Sequence, residues 1–319
     1  MPKVRAYGAD ARLLAAREAA YGVTAPGPYK SLDFKSTDLS AAQPLGDDPL
    51  LGRGRNAQDP FRGLVTDEGQ LDVPLDLRAA GFWLTALFGD PVTTDNLDGT
   101  FTHVWESGAD DIPSYTVEIG HPKIATPVFF RHPGTVVESL NVEMGQEGAA
   151  NARLQLVAQG EESAAATIDV APGSYALKRF SQGRGFIRRG GAALAGVTGG
   201  SFTFSNNLER VRVIRDDGKI EAADPTTASA EGAMTVRFDG ATLVAEAANG
   251  DPVALDYGFT MAGGFELKFA FPRVFLPKPK YAVSGPGGVE ASFDWRAAFD
   301  EAAGTMLRAS LLNDVPSYL

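Results

Sequence analysis

Cysteine does not occur anywhere in the 319 residues, which excludes disulfide staples, thiol nucleophiles and thiolate metal sites. Histidine is nearly as scarce. His103, His121 and His132 are the only three, and none has a second histidine or a glutamate at helical metal-ligand spacing. Each is expected to be structural, at a strand end or in a loop. No stretch approaches the roughly 18 uninterrupted apolar residues of a membrane helix. The opening Met1-Pro2-Lys3-Val4-Arg5-Ala6-Tyr7 has neither the apolar stretch nor the cleavage site of a secretion signal. There is no G-x-S-x-G nucleophile elbow. Gly183-Arg184-Gly185 lacks the Gly-Lys-Ser/Thr ending of a P-loop and reads as flexible linker. The acidic pairs Asp47-Asp48, Asp110-Asp111, Glu161-Glu162 and Asp216-Asp217 carry no calcium-loop pattern and read as solvated turns. No catalytic constellation emerges, so neither an enzyme nor a cofactor is expected.

Basic charge is also short. With 29 Lys and Arg against 40 Asp and Glu, the formal charge of −11 argues against wrapping nucleic acid, because that affinity comes from neutralising phosphates. The same balance suits a wall that lets DNA pass without sticking, or simply a soluble protein. Gly and Pro, by contrast, are plentiful at 36 and 20 residues, which favours a turn-rich β protein without reaching the composition of a disordered one.

What the chain does contain is a repeated phrase. Glu68-Gly69-Gln70-Leu71-Asp72-Val73-Pro74-Leu75-Asp76 returns as Glu231-Gly232-Ala233-Met234-Thr235-Val236-Arg237-Phe238-Asp239. In each copy an apolar helical stretch follows, ending at Gly89-Asp90-Pro91-Val92 and at Gly250-Asp251-Pro252-Val253. A third echo pairs Pro133-Gly134-Thr135-Val136 and Ser139–Val142 with Pro286-Gly287-Gly288-Val289 and Ser292–Trp295. The separations are 163, 161 and 153 residues, so order is kept and loops change length. The expectation is a mainly β (α+β) chain of two tandem β-sandwich or barrel-like domains, each with one flanking helix. The first spans 1–160, a linker 161–200 and the second 201–319, each long enough for its own core.

Within the first copy, residues 10–22 read as a short helix stopped by Gly22 or as an arm reaching to a neighbour. Ser31–Leu39 reads as a strand. Pro44–Leu64 is too dense in breakers for a regular element, and loops of that length usually meet a partner. Leu71, Val73, Leu75 and Leu77 alternate with Asp72, Pro74 and Asp76 as a strand. Leu77–Phe88 carries a broad apolar helical stripe, with a second helix at Ala241–Asn249. Val136–Met144 and Ala152–Ala158 read as an antiparallel pair. Trp83 on the helix stripe and Trp295 in phase with Phe293 read as core, although with Trp105 they leave a sugar platform as the alternative.

These segments resemble the major tail tube proteins of long-tailed, siphovirus-type bacteriophages. The resemblance rests on Ala15–Gly22 running into Leu32–Leu39, and on Gly52-Arg53-Gly54-Arg55-Asn56 ahead of Gly69–Asp76. It continues through Gly81–Asp90, Gly99–His103, Pro113–Gly120 and Gly134–Leu140. It is best over residues 15–160 and weaker in the second copy. It implies a virion tail protein, assembled in the host cytoplasm, whose sheets join around a ring to line a DNA-conducting channel for DNA ejection. Rings stack through long loops around a tape-measure protein, with tail terminator and distal tail proteins at the ends. DNA passes without specific binding, and no membrane is involved. Family members usually carry one domain per chain in hexameric rings; two per chain imply a homotrimeric, pseudo-hexameric ring.

If each strand turns its apolar phase to the helix, the other phase faces the lumen. That phase holds Asp72, Asp76, Asn141, Glu143 and Gln155 in the first copy and Asp239, Glu290 and Asp294 in the second. Arg153, Arg237, Arg296 and Arg308 are interspersed with them. The ring-stacking loop is expected to present Asp47, Asp48, Arg53, Arg55, Asn56 and Asp59. The competing reading is a glycan-binding, two-module β-sandwich protein on a particle surface.

Overall fold

The structure is a computed structural model that describes residues 5–237, 249–277, 280–281 and 290–318. The chain begins with β1 (Arg12–Arg17) and three short strands, β2 (Lys30–Ser31), β3 (Ser36–Thr37) and β4 (Ser40–Ala42). A two-residue pair, β5 (Leu45–Gly46) with β6 (Phe61–Arg62), closes the base of a long exposed loop. Next come β7 (Thr66–Pro74), helix α1 (Ala79–Phe88) and the hairpin β8 (Val92–Asp95) with β9 (Phe101–Glu106). The first half is completed by β10 (Tyr115–His121), β11 (Val128–Met144), β12 (Asn151–Ala158), β13 (Glu162–Ala164) and β14 (Gly173–Ser174).

The second half runs through β15 (Gly185–Arg189), β16 (Ala192–Ala193) and β17 (Val197–Ser205), then a small hairpin of β18 (Glu209–Val211) and β19 (Ala222–Asp224). After it come β20 (Ser229–Arg237), β21 (Val253–Thr260), β22 (Glu266–Phe275), β23 (Lys280–Tyr281), β24 (Glu290–Ala297) and β25 (Arg308–Asn313). The stretch expected as linker, 161–200, thus supplies strands that pair within the sheets, β15 with β21 among them.

Strand pairing repeats along the chain. In the first half β1 pairs with β10, β10 with β11, β11 with β12, β12 with β7, and β7 with β3 and β4. In the second half β15 pairs with β21, β21 with β22, β22 and β23 with β24, β24 with β20, and β20 with β17. Even the lesser strands agree, for β13 adds to the start of β11 as β25 adds to the start of β22. The third sequence echo does not follow this order. Ser139–Val142 belongs to β11, whereas Ser292–Trp295 belongs to β24, which flanks β20 as β12 flanks β7. Similar alternation in two different strands produced that match.

The expected pair of Val136–Met144 with Ala152–Ala158 is present, with Leu140 opposite Leu154. The helical reading of residues 10–22 is not met. Leu13, Leu14, Ala15 and Ala16 are all buried, and β1 lies between β10 and β2, so pairing and burial on both faces override the alanine-rich propensity. The predicted Leu77–Phe88 helix is α1, buried nearly all round. Its counterpart at 241–249 lies outside the described residues apart from Asn249. One apolar cluster runs from Leu13 to Leu311 and draws on both halves and on most of α1. Phe88 of α1 meets Phe204 of β17 with ring centroids 4.8 Å apart.

Candidate assembly surfaces

The polar faces of the strands form one surface. Strand partners place Ser36, Asp72, Arg153, Asn141, Thr203, Glu231 and Arg296 directly opposite one another in succession, through β3, β7, β12, β11, β17, β20 and β24. The crossing from one half to the other is β11 against β17, six opposed pairs from Ser139↔Ser205 to Met144↔Gly200. Because side chains alternate, the row is polar while its neighbours Leu71, Leu154, Leu140, Phe202, Ala230 and Trp295 are buried on the other face.

Opposite charges meet at two places along the row, Asp72 with Arg153 and Glu231 with Arg296, on either side of an uncharged centre. Asp72 accepts from Arg153 Nε at 3.0 Å and from Ser36 Oγ at 2.8 Å. Burial pushes the Asp72 carboxyl up, but those hydrogen bonds and the Arg153 charge outweigh it and hold the group below its ordinary range. Asn141 Nδ2 donates to Thr203 Oγ1 at 2.9 Å across the junction of the halves. Glu231 and Arg296 are 3.8 Å apart and largely exposed. Glu143, Glu290 and Asp294 are exposed on this face, and Gln155 is half-buried.

Asp76 does not join them. It is fully buried, and its Oδ1 accepts from the backbone N–H groups of Arg78 and Ala79, each at 2.8 Å, while Oδ2 accepts from Lys178 N–H. Alternation ends at β7, and Asp76 caps α1 instead. Asp239 lies outside the described residues. Arg308 sits on β25, bound to Glu106 of β9, outside the run of strands that carries the row. Sequence reasoning missed Ser36, Thr203 and Glu231, although the polar alternation of Ser201, Thr203 and Ser205 was the available signal.

At one edge of this face, the β18–β19 hairpin lays Leu208, Ile220 and Ala223 over Val136 and Val157, forming a second small core. Arg210 ties the hairpin down through Glu138 Oε1 at 2.7 Å and Glu68 Oε2 at 3.0 Å. The same hairpin touches the exit of the long loop, where Val65 N–H donates to Gly218 O at 2.9 Å. Asp47, Asp48, Arg53, Arg55, Asn56 and Asp59 are all exposed on that loop, together with Leu45, Leu50, Leu51, Phe61 and Leu64. Val213 and Ile214 at the hairpin tip are exposed as well. Large apolar side chains held in solvent on adjacent loops indicate a surface meant to be covered.

The remaining chemistry is structural. Glu18 is buried and accepts from Ser114 and Thr116 hydroxyls, each at 2.7 Å, and from Gly134 N–H at 2.9 Å. His132 Nδ1 lies 2.9 Å from Asp67 Oδ2, both side chains fully buried. His103 is buried between Thr93 and Asn313. Trp83, Trp105 and Trp295 are core residues, which removes the proposed sugar platform.

A mainly β chain whose strand order repeats, with an unbroken polar sheet face and exposed apolar loops, is of the class of self-assembling structural subunits. The chain belongs to the phage tail tube protein family, whose model matches residues 8–297. A search of curated proteins finds no match. It is therefore a structural protein of the virion tail that assembles into a tube with copies of itself, and the family is not one of enzymes.

Proposed function

We propose that the two repeats are two fused tail-tube modules, approximately 1–174 and 185–319 once the strands of the expected linker are counted with the sheets they join, and that three copies close a pseudo-hexameric ring around a DNA-conducting channel. The observation carrying this reading is the polar row that passes from one repeat into the other without a break. One chain then supplies two adjoining arcs of a single wall. On this reading the lumen presents Glu68, Asp72, Glu143, Glu231, Glu290 and Asp294, with Arg153, Arg237 and Arg296 set among them. The acidic majority denies DNA the phosphate neutralisation that non-specific adhesion needs. Paired charges such as Asp72 with Arg153 keep the wall from being uniformly repulsive, and salt screens the rest within about 10 Å.

Rings stack through the Pro44–Leu64 loop, helped by the β18–β19 hairpin. The tape-measure protein fills the bore during assembly in the host cytoplasm, and tail terminator and distal tail proteins close the ends. Image averages of purified particles without imposed symmetry test the ring. Six lobes around a central hole with threefold repetition are expected; a particle without a hole, or another number of lobes, overturns the reading. Removing residues 47–59 is expected to leave rings but abolish tubes. Tubes of normal length and stability after that deletion would remove the loop from stacking.

A further inference from the structure

The junction between the repeats shows how two modules join, and the same join can be transposed to the outer edges of the chain. Inside the chain, β11 of the first repeat pairs with β17 of the second, with Asn141 opposite Thr203. Each of these strands has a counterpart at an outer edge. β3 and β4 flank β7 as β17 flanks β20: Ser40 stands opposite Glu68, and Thr203 opposite Glu231. Since Glu68 and Glu231 open the same repeated phrase, Ser40 holds the place of Thr203. On the other side, β23 flanks β24 as β11 flanks β12. Lys280 stands opposite Ser292, itself opposite Thr235, while Asn141 stands opposite Arg153, itself opposite Asp72. Thr235 follows Asp72 by the same 163-residue interval that separates Glu68 from Glu231, so Lys280 holds the place of Asn141.

Both outer edges are unpaired among the described residues, since the registers pair β3 and β4 with β7 alone, and β23 with β24 alone. An open strand edge is a template for another strand. On β4 the outward backbone donor is already in use, for Ala41 N–H donates to the Glu161 carboxylate at 3.2 Å. That side chain stands where a neighbouring strand's carbonyl would lie. Ser40, Ala41 and Ala42 are small, so an incoming strand meets little side-chain bulk.

Resting on the ring reading, we propose that the subunit interface is antiparallel pairing of β23 of one copy with β4 of the next, Lys280 opposite Ser40. It repeats the internal Asn141–Thr203 junction, and the edge donor now covered by Glu161 passes to the neighbour's backbone. Such a contact is head-to-tail, and it leaves no free edge once the ring closes.

The absence of cysteine allows a direct test. A full-length S40C/K280C double variant is oxidised and compared with an N141C/T203C variant, which reports the internal junction, and with S36C/K280C, displaced by four residues. The expected result is that S40C/K280C forms interchain disulfides up to a covalent trimer, at least about tenfold above the displaced pair. N141C/T203C closes within one chain. Rings that assemble with no more S40C/K280C cross-linking than the displaced pair, while the internal control closes, would overturn this register and leave the ring reading standing. Mixing single S40C and K280C chains guards against a double variant that does not assemble: only a mixed dimer is expected, and homodimers alone would overturn the register. Preparations without rings by microscopy and without cross-links sink the ring reading and this interface together.

Discussion

In the first repeat the core side of the sheet is aliphatic, with Leu39, Leu71, Val73, Leu154 and Leu156, and α1 lies against it. At the matching places the second repeat buries Phe202, Met234, Val236, Phe293 and Trp295, backed by Tyr257, Phe269 and Phe271. Strand order is the same although the packed volumes differ. The phase of alternation is what the two repeats share, because a one-residue slip would expose the whole apolar set, whereas aliphatic-for-aromatic exchange needs only local repacking. The recurrent Glu-Gly dipeptide has a related explanation. A Cβ on Gly232 would lie 2.5 Å from the Trp295 ring, and one on Gly69 would lie 2.5 Å from the Leu39 backbone. Each glycine makes room for what packs across from it, backbone alone at Gly69 and both the Ser201 carbonyl and the Trp295 ring at Gly232.

The comparison is tested most strongly by emptying one core at a time. Trp295 is 1% exposed, donates to Tyr257 Oη at 2.7 Å and packs at a tilt against Phe271 with ring centroids 4.8 Å apart, so Trp295→Ala should cost about 3–5 kcal/mol. Leu156→Ala at the matching place should cost about 2–5 kcal/mol. Because one apolar cluster serves both repeats, urea unfolding of each variant should remain a single transition with a lowered midpoint. Two separated transitions would show that the repeats fold independently. Asp76→Ala should follow at about 1–3 kcal/mol, since it strands two half-buried backbone donors at the start of α1, Arg78 and Ala79, and a third at Lys178 in the segment that packs beside it. Hydrogen exchange should quicken in residues 79–88 before it does elsewhere; uniform exchange would argue against a capping role.

Where the sequence was legible, the strand period carried it. Leu71, Val73 and the 136–144 and 152–158 pair could be placed because one face is apolar and the other polar, and α1 because its stripe is long and ends at Gly89. Residues 12–17 were illegible for the opposite reason: a strand covered on both faces loses its alternation, and alanines then mimic a helix. Asp76 continued the period of β7 by number, but the chain had already turned toward α1, and periodicity does not register a turn. The polar row was half visible. Its residues in β7, β11 and β24 were found from phase, whereas Thr203 and Glu231 depend on which strands become neighbours, a matter of topology that no local window contains.

Gly232→Ala and Gly69→Ala sharpen the comparison further. Both should destabilise, by about 1–3 kcal/mol, as overpacked sites do. They should differ in rescue. Trimming Trp295 to Phe or Leu should recover part of the Gly232→Ala loss, because the obstruction there includes a side chain, though Ser201 O also stands 2.2 Å away. No side-chain trim at Leu39 should rescue Gly69→Ala, since its nearest obstructions are backbone atoms. Equal rescue in both would mean the two glycines serve one packing purpose.

The smallest expected difference lies on the polar face. The first repeat sets Ser36, Asp72 and Arg153 in contact, while the matching places in the second hold Gly199, Thr235 and Ser292, which carry no charge. Asp72 has its folded pKa lowered, so its contribution is fully present above the unfolded value of about 3.9 and is lost as pH falls through the folded value. Wild type should therefore be the more stable at neutral pH and should lose that margin over Asp72→Asn only below about pH 4. Arg153 is half exposed, so the margin should stay under about 1 kcal/mol and shrink with added salt. Thermal midpoints of the two proteins from pH 7 to pH 3 measure it. A margin unchanged across that range would mean that the Asp72 carboxylate contributes through shape alone, and that the first repeat's charged contacts and the second's uncharged ones hold their strands equally well.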